Sequence, residues 1–84
     1  MRSTTTPEFW ERFYRLPTEV QRLAEKTYRL WLADPHHPSL HFKPFKQRLW
    51  SVRVGLHYRA TGVLIDRDRF RWVWIGTHEE YNKL

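Results

Sequence analysis

The chain contains no cysteine, which excludes disulfide bonds and thiolate-bound metals. Such a chain is compatible with a reducing cytosol, and we expect a cytoplasmic protein. No apolar stretch approaches the roughly 20 residues that span a bilayer. The polar residues 1–6 lead into an amphipathic segment and do not resemble a signal peptide. No membrane partner is therefore expected.

Acidic residues are missing from the middle of the chain. All nine Asp and Glu residues lie outside the segment Pro35–Ile65, and the whole chain carries a formal net charge of +6. This distribution predicts one electropositive surface whose partner is a polyanion such as RNA. The residues expected to contact RNA are Lys43, Lys46, Arg48, Arg53 and His57, and the same segment holds Arg59, His36, His37 and His41.

Aromatic residues are numerous: five Trp, five Phe and four Tyr in 84 residues. Each buries a large apolar area, which lets a short chain close a core without disulfides. A chain of this length has the volume for one core, so we expect a single domain over residues 1–84. We also expect Phe70, Trp72 and Trp74 to share one face of a strand, the face that packs on the helices.

Two helices are predicted in the first half. Thr6 and Pro7 suit the cap and the first position of a helix, and the aromatic residues that follow recur at helical spacing through Leu16. Pro17 interrupts this helix and begins a second one. The apolar residues of the second helix keep the i, i+3, i+4, i+7 pattern until the step Asp34-Pro35 ends it. The two helices should form a hairpin.

The second half alternates polar and apolar residues with a period of two, which predicts strands. We expect strands at 40–43 (ended by Pro44), 50–54, 58–65 and 70–75, a hairpin turn at 66–69, and an edge strand at 3–5. Residues 78–84 form a short tail with one helical turn. The sequence therefore predicts an α+β fold, (β)ααβββ, with two N-terminal helices packed on a small antiparallel sheet.

The order of short motifs from Trp50 to Tyr81 resembles that of the RelE/ParE superfamily of bacterial toxins. The strand Trp50-Ser-Val-Arg-Val-Gly55 precedes Tyr58-Arg59-Ala, a polar hairpin, and an apolar strand that ends in Ile75-Gly76-Thr-His78-Glu-Glu-Tyr81. The resemblance covers the whole chain in layout, because two helices of this length also precede the strands in that family. It implies a type II toxin that an antitoxin neutralises. RelE-like members cut messenger RNA on the ribosome, and ParE-like members poison DNA gyrase.

The resemblance also implies roles for single residues. Arg59 corresponds to the phosphate-binding arginine of the family, and His78 to its catalytic arginine or histidine. Tyr81 corresponds to the tyrosine near the C-terminus of the ribonuclease branch. The predicted catalytic residues are therefore these three, while Arg53 and Lys43 match less defined basic positions.

Two acidic residues depart from the family pattern. Glu79 and Glu80 follow His78 directly. Carboxylates beside a phosphate site repel the substrate unless they face away. Their position weakens the expectation that this chain is catalytically competent.

The three predicted catalytic residues suit metal-independent RNA cleavage. The reaction removes a proton from the 2′-OH, neutralises a pentacoordinate phosphorane and returns a proton to the 5′-oxygen. Histidine exchanges protons near neutral pH, and the planar guanidinium of arginine meets two phosphate oxygens. Each residue also has a structural interpretation: Arg59 as a solvated strand residue, His78 as a strand-end cap, and Tyr81 as an anchor of the tail or a base-stacking ring.

No metal ion or other cofactor is expected. His36, His37 and His41 are close in sequence, but Pro38 interrupts any helix between them. Their spacing is not that of a metal-ligand pair.

Three functions stay open on the sequence. The first is a RelE-like toxin, a ribosome-dependent endoribonuclease whose partners are the ribosome, mRNA and an acidic antitoxin. The second is a gyrase-directed ParE-like toxin, or a catalytically silent relative that binds only its antitoxin or nucleic acid. The third is a plain basic nucleic-acid-binding module, for which the chain lacks a glycine-rich clamp, a zinc finger or paired strand aromatics. The residues Arg59, His78 and Tyr81 favour the first function, and Glu79 and Glu80 favour the second.

Overall fold

A computed structural model describes all residues, 1–84. It confirms the predicted α+β fold, with two N-terminal helices before the main strands. The strands are β1 (Arg2–Thr5), β2 (Lys43–Lys46), β3 (Leu49–Val54), β4 (Tyr58–Asp66) and β5 (Arg69–Thr77). The helices are α1 (Pro7–Arg15), α2 (Thr18–Ala33) and α3 (His78–Tyr81), and a 3₁₀ turn spans Pro38–Leu40.

Local sequence sets the ends of the two long helices. The Thr6 side chain accepts a hydrogen bond of 3.2 Å from the backbone N–H of Phe9, and Pro7 occupies the first position, where a missing N–H costs nothing. Pro17 separates α1 from α2, and Pro35 follows the end of α2, as predicted. No helix is both long enough and apolar enough to cross a membrane.

The five strands form one sheet in the order β1-β5-β4-β3-β2. Antiparallel pairing joins β2 to β3, β3 to β4 and β4 to β5. In contrast, β1 pairs parallel with β5, from Arg2 opposite Arg69 to Thr5 opposite Trp72. The sheet is therefore mixed rather than wholly antiparallel. Parallel strands need a crossover connection, and the chain between β1 and β5, which includes both long helices, provides one.

The strand predicted at 40–43 is wrong in position. Residues 38–40 form the 3₁₀ turn, and β2 begins at Lys43 and passes through Pro44 instead of ending there. Proline fits because β2 is an edge strand, where an outward-facing position needs no N–H. The pairing with β3 shifts between Pro44 and Lys46, which leaves Phe45 as an extra residue in a bulge.

One face of the sheet packs against both long helices. Trp31 of α2 is 0% exposed, and its ring centroid lies 5.3 Å from that of Phe70 and 5.0 Å from that of Trp72, both on β5. Burial of such large aromatics supplies much of the stabilisation available to a short chain. The core consists of Phe9, Phe13, Trp31, Leu40, Val52, Val54, Ala60, Phe70, Trp72 and Ile75.

A bulge in β5 separates aromatic residues that the sequence assigns to one face. Thr61 of β4 pairs with Trp74, and the next residue of β4 pairs with Trp72, so Val73 is an extra residue. The extra residue reverses the alternation, and Trp74 lies on the opposite face from Phe70 and Trp72. The expectation that the three aromatics share a face is therefore wrong.

The other face of the sheet carries the basic strand residues. Arg53 of β3 lies directly opposite Arg59 of β4. Alternation along β3 directs Arg53 away from Val52 and Val54, which belong to the core. Helix α3 follows β5 directly, and its residues His78 and Tyr81 line one pocket with the arginines of this face.

A groove of about 580 Å³ lies between α1 and α2 and reaches down to the sheet. Its rim includes Trp10, Tyr14 and Tyr28, whose exposed fractions are 41%, 68% and 39%. These aromatics leave an apolar surface open on the helical side of the molecule.

Candidate active site

A polar pocket of about 250 Å³ lies where β5 passes into α3. No acidic residue lines this pocket. Five of its eight lining residues carry a guanidinium, an ammonium or an imidazole group. Such a lining favours an anionic ligand. The lining residues are His41, Lys43, Ser51, Arg53, Arg59, His78, Tyr81 and Asn82.

Two arginines face each other across neighbouring strands in this pocket. Arg53 and Arg59 are directly paired in the sheet, and neither forms a salt bridge. The Nε atom of Arg53 is buried without a protein hydrogen-bond partner. Burial, and then the charge of Arg53, lower the pKa of Arg59, while Tyr81 acts in the opposite direction. Like charges placed opposite each other destabilise a sheet. A bound anion between the two guanidinium groups would offset this repulsion, so the pair is a candidate anion site.

His78 contacts one of these arginines directly. Its Nδ1 lies 3.1 Å from Nη2 of Arg59. A guanidinium only donates hydrogen bonds, so Nδ1 accepts and the ring proton lies on Nε2. The backbone N–H of His78 donates to the carbonyl of His57 at 2.7 Å. This bond fixes the start of α3 against the turn between β3 and β4.

Tyr81 lies beside His78, one turn further along α3. Its hydroxyl donates to Oγ of Ser51 at 3.1 Å, and its ring centroid lies 4.9 Å from that of Phe45. Phe45 reaches the ring because it is the extra residue of the β2 bulge, and bulges redirect side chains. Contacts with two strands therefore hold Tyr81 at the pocket.

The two glutamates after His78 do not enter the pocket. Thr77 and Glu80 form a capping box for α3, in which the Thr77 hydroxyl accepts from the backbone N–H of Glu80 at 3.1 Å. The carboxylate of Glu80 accepts from the backbone N–H of Thr77 at 3.0 Å and from its hydroxyl at 3.1 Å. These two bonds lower the pKa of Glu80. Glu79 is exposed and does not line the pocket. Neither carboxylate therefore lies in the pocket, where it would repel a bound anion.

A model of the ParE-like toxin domain matches residues 18–83, a span that includes four of the five strands and α3. The chain belongs to this family. Its membership confirms the resemblance to the RelE/ParE superfamily of toxins. No curated protein matches the chain in a sequence search.

Solved toxins share the fold of this ParE-like chain at low sequence identity. The YoeB/ParE toxin from Agrobacterium tumefaciens is 16% identical with a TM-score of 0.72, over 93% of this chain and 99% of that one. In the RelB-RelE antitoxin–toxin complex from Methanococcus jannaschii, the matched chain is 12% identical with a TM-score of 0.73, over 95% of both chains. YafQ from E. coli strain BL21(DE3) is 10% identical with a TM-score of 0.76, over 96% and 98%. At these identities the likeness establishes the fold alone.

The pocket of this ParE-like toxin brings together five of the eight residues predicted for its site. The other three do not line it. Two are exposed at the turn between β2 and β3, and one is exposed in the turn between β3 and β4. Contact between these three and RNA stays a prediction about the surrounding surface. The five are Lys43, Arg53, Arg59, His78 and Tyr81, and the three are Lys46, Arg48 and His57.

Sequence reasoning missed three lining residues, His41, Ser51 and Asn82. The period-two pattern holds a signal for Ser51, because Ser51 alternates with core residues in the same way as Arg53. It holds a similar signal for His41, which precedes the core-packed Phe42. We find no sequence signal for Asn82, which follows α3.

The chemistry of the lining suits a phosphate group. Guanidinium and ammonium groups bind phosphate oxygens, and an imidazole beside them exchanges protons. No three His, Asp or Glu side chains are grouped to hold a metal ion. The cationic and imidazole groups of the pocket can bind a phosphodiester and transfer protons to or from it.

Proposed function

We propose that this chain is the toxin of a type II toxin–antitoxin system and that it cuts messenger RNA on cytoplasmic ribosomes without a metal ion. The observation that carries the proposal is the contact between His78 and Arg59, in a pocket whose arginines have no carboxylate partner. Attack by a 2′-OH needs a proton-exchanging group beside a phosphate-binding cation. The match to the ParE-like toxin domain supports the toxin part of the proposal.

In the proposed reaction, Arg53 and Arg59 bind the scissile phosphate. The 2′-oxygen bonds to phosphorus, and the bond from phosphorus to the 5′-oxygen breaks, which leaves a 2′,3′-cyclic phosphate and a 5′-hydroxyl. Negative charge builds on the non-bridging oxygens during attack, and the two guanidinium groups neutralise it. Lys43 adds positive charge in the same pocket.

His78 and Tyr81 complete the set of proposed catalytic residues. A phosphate oxygen can replace His78 Nδ1 as the acceptor for Nη2 of Arg59, which frees the imidazole for proton transfer. Tyr81 is fixed next to this ring by its bond to Ser51. We propose that Tyr81 contacts the RNA there and orients it for attack.

Primer extension on a defined message, translated by purified ribosomes with and without the protein, tests this proposal. We expect cuts that depend on ribosomes, and a loss of about 10²–10³ in cleavage rate for both Arg59→Ala and His78→Ala. Arg22→Ala is the matched control, because Arg22 is exposed on α2. Unchanged cleavage by both pocket variants would contradict the assigned roles.

A gyrase-directed toxin is the second candidate function. The observation that favours it is the family model itself, which describes a ParE-like domain. In this alternative the basic pocket only binds an anion and cuts nothing. Inhibition of DNA supercoiling by purified gyrase, together with no ribosome-dependent cuts, would select this alternative. A catalytically silent relative would give neither result.

We further propose that an acidic antitoxin covers the basic face from Lys43 to Arg59. The charge of that face supports the proposal. Two similar solved folds, the RelB-RelE antitoxin–toxin complex from Methanococcus jannaschii and the archaeal RelE-RelB complex from Pyrococcus horikoshii, support an antitoxin partner but not its charge or position. The affinity for a co-expressed acidic partner, encoded next to the toxin, should fall steeply as salt is added. An affinity that does not change with salt would count against this binding mode.

The apolar groove between α1 and α2 gives the same partner a second contact of different chemistry. Amphipathic helices bind such grooves through their apolar face. We expect Tyr14→Ala to weaken the antitoxin complex while its salt dependence stays the same, because Tyr14 is an uncharged residue on the groove rim. Arg53→Met should instead reduce the salt dependence. If the two variants changed the salt dependence of antitoxin binding equally, the assignment of charged contacts to the basic face and apolar contacts to the groove would be wrong.

A further inference from the structure

His41 is held at the pocket between the buried Leu40 and the partly buried Phe42. Leu40 is 1% exposed. The ring of Phe42 packs against that of Trp50 at a centroid distance of 4.7 Å and against that of Phe70 at 5.7 Å. His41 itself is exposed and lines the pocket. Two anchors in the core therefore fix the backbone that presents this imidazole to the pocket.

The backbone of His41 is unusual for a residue with a side chain. Its φ of 48° and ψ of 42° are left-handed, a conformation that residues other than glycine seldom adopt. Such outliers persist where the surrounding structure imposes them, and they cluster at functional sites. The conformation also lets the chain turn from the 3₁₀ helix so that Phe42 enters the core while His41 stays at the pocket.

Strand cleavage by 2′-OH attack needs two proton transfers, one from the 2′-hydroxyl and one to the leaving 5′-oxygen. His78 is suited to the second once a phosphate oxygen replaces its Nδ1 as the acceptor for Arg59, because the freed imidazole can then carry a proton on each nitrogen and donate one. The imidazole of His41 forms no hydrogen bond with the protein, unlike that of His37, whose Nδ1 bonds to Ser39. A free imidazole can accept a proton.

We propose that His41 is the second proton-transfer residue of this site, one that removes the 2′-hydroxyl proton while His78 donates a proton to the leaving 5′-oxygen. The inference rests on the proposed ribonuclease function. The proton lost by the 2′-hydroxyl goes to His41, and the 2′-oxygen bonds to phosphorus. The bond from phosphorus to the 5′-oxygen breaks, and the departing 5′-oxygen takes a proton from the doubly protonated form of His78, which returns to neutral imidazole. The charged and titratable groups that share the pocket with His41 are Lys43, Arg53, Arg59, His78 and Tyr81.

Single-turnover cleavage of the ribosome-bound message by His41→Asn tests the proposal. Asparagine tolerates a left-handed backbone, but its amide cannot accept and release a proton near neutral pH. We expect the cleavage rate to fall by about 10²–10⁴, with unchanged affinity for an uncleavable message that carries a 2′-deoxynucleotide at the cut site. His36→Asn is the matched control, because His36 is exposed and lies outside the pocket. It should cut at the wild-type rate.

A modified message separates the two histidine roles. When sulfur replaces the 5′-oxygen at the cut site, the leaving group departs without a proton donor. This message should restore cleavage by His78→Asn but not by His41→Asn. Loss of the acid-side limb of the wild-type pH profile in His41→Asn would give the same assignment, since a base must be deprotonated to act.

The outcomes distinguish this inference from the proposed function. If the wild-type protein cuts no message, the ribonuclease proposal fails and this inference fails with it. If the wild-type protein cuts and His41→Asn cuts equally fast, only the role of His41 is overturned. A loss of cleavage by His41→Asn that is matched by an equal loss of affinity for the uncleavable message would also overturn it, because His41 would then act only in binding.

Discussion

Replacing Arg53 with methionine should stabilise the anion-free protein. Arg53 lies directly opposite Arg59 in the sheet, has no salt bridge, and buries its Nε without a protein partner. Methionine keeps an unbranched apolar stem in this half-buried position and removes both the charge and the unsatisfied donor. The substitution therefore separates the stability of the fold from the function of the pocket.

The size of the effect follows from two contributions. A buried donor without a hydrogen bond costs about 1–3 kcal/mol, and like charges opposite each other in a sheet cost roughly 0.2–1 kcal/mol. Part of the gain is offset because methionine loses some contacts of the longer side chain. We therefore expect the free energy of unfolding of Arg53→Met to rise by about 1–3 kcal/mol. For a domain of this size each kcal/mol raises the melting temperature by roughly 4–8 °C.

Urea denaturation in buffer without phosphate or sulfate measures the effect. The midpoint should rise for Arg53→Met while the slope of the transition stays the same. Arg22→Met is the control, because this exposed arginine on α2 should change stability by less than about 0.5 kcal/mol. Added inorganic phosphate should stabilise the wild type, by about 2.7 kcal/mol at 100 times its dissociation constant. Arg53→Met should gain much less.

Two results would refute the reasoning about the arginine pair. A lower midpoint for Arg53→Met would show that Arg53 stabilises the fold. Equal stabilisation of wild type and Arg53→Met by phosphate would show that the anion binds without this residue.

Three further predictions concern the elements that support the site. Hydrogen bonds from Thr77 hold the pKa of Glu80 below its unfolded value, so the ionised Glu80 stabilises the fold above the unfolded pKa, and this stabilisation is lost as pH falls. Urea midpoints between about pH 3 and pH 5 should therefore fall more steeply for the wild type than for Glu80→Ala, and parallel curves would contradict this. A Cβ at Gly62 would lie 2.6 Å from the carbonyl oxygen of Arg71, so Gly62→Ala should lower the free energy of unfolding by at least about 1–3 kcal/mol, and a wild-type midpoint would contradict the close packing. Trp31→Ala should cost about 3–5 kcal/mol, because Trp31 is 0% exposed and packs against both Phe70 and Trp72; a small loss in thermal unfolding would mean that the core can close without it.

Most of the fold is predictable because local patterns determine it. The helix ends are marked by Thr6, Pro7, Pro17 and the Asp34-Pro35 step. Each of these signals acts on the few residues next to it. The period-two pattern finds β3, β4 and β5 for the same reason. The errors arise where pairing with another strand determines the structure. They are the parallel pairing of β1 with β5, the continuation of β2 through Pro44, and the bulge in β5.

The site is predictable only in part, for a related reason. The acid-free segment and the family motifs led to Lys43, Arg53, Arg59, His78 and Tyr81, all of which line the pocket. The sequence does hold a signal for the return of the Glu80 carboxylate to Thr77, because Thr77-x-x-Glu80 is a capping-box pattern, but the prediction treated the two glutamates only as charges. The place of His41 depends on a left-handed backbone, which the sequence does not reveal.

The chemistry of the cut ends tests the central claim most directly. A ribosome-bound message with a ribonucleotide at the cut site should yield a 2′,3′-cyclic phosphate and a 5′-hydroxyl, and a 2′-deoxynucleotide there should prevent cleavage. These products require attack by the 2′-oxygen, which the arginine pair and His78 are proposed to promote. A 5′-phosphate end, or cleavage of the 2′-deoxy message, would contradict the mechanism.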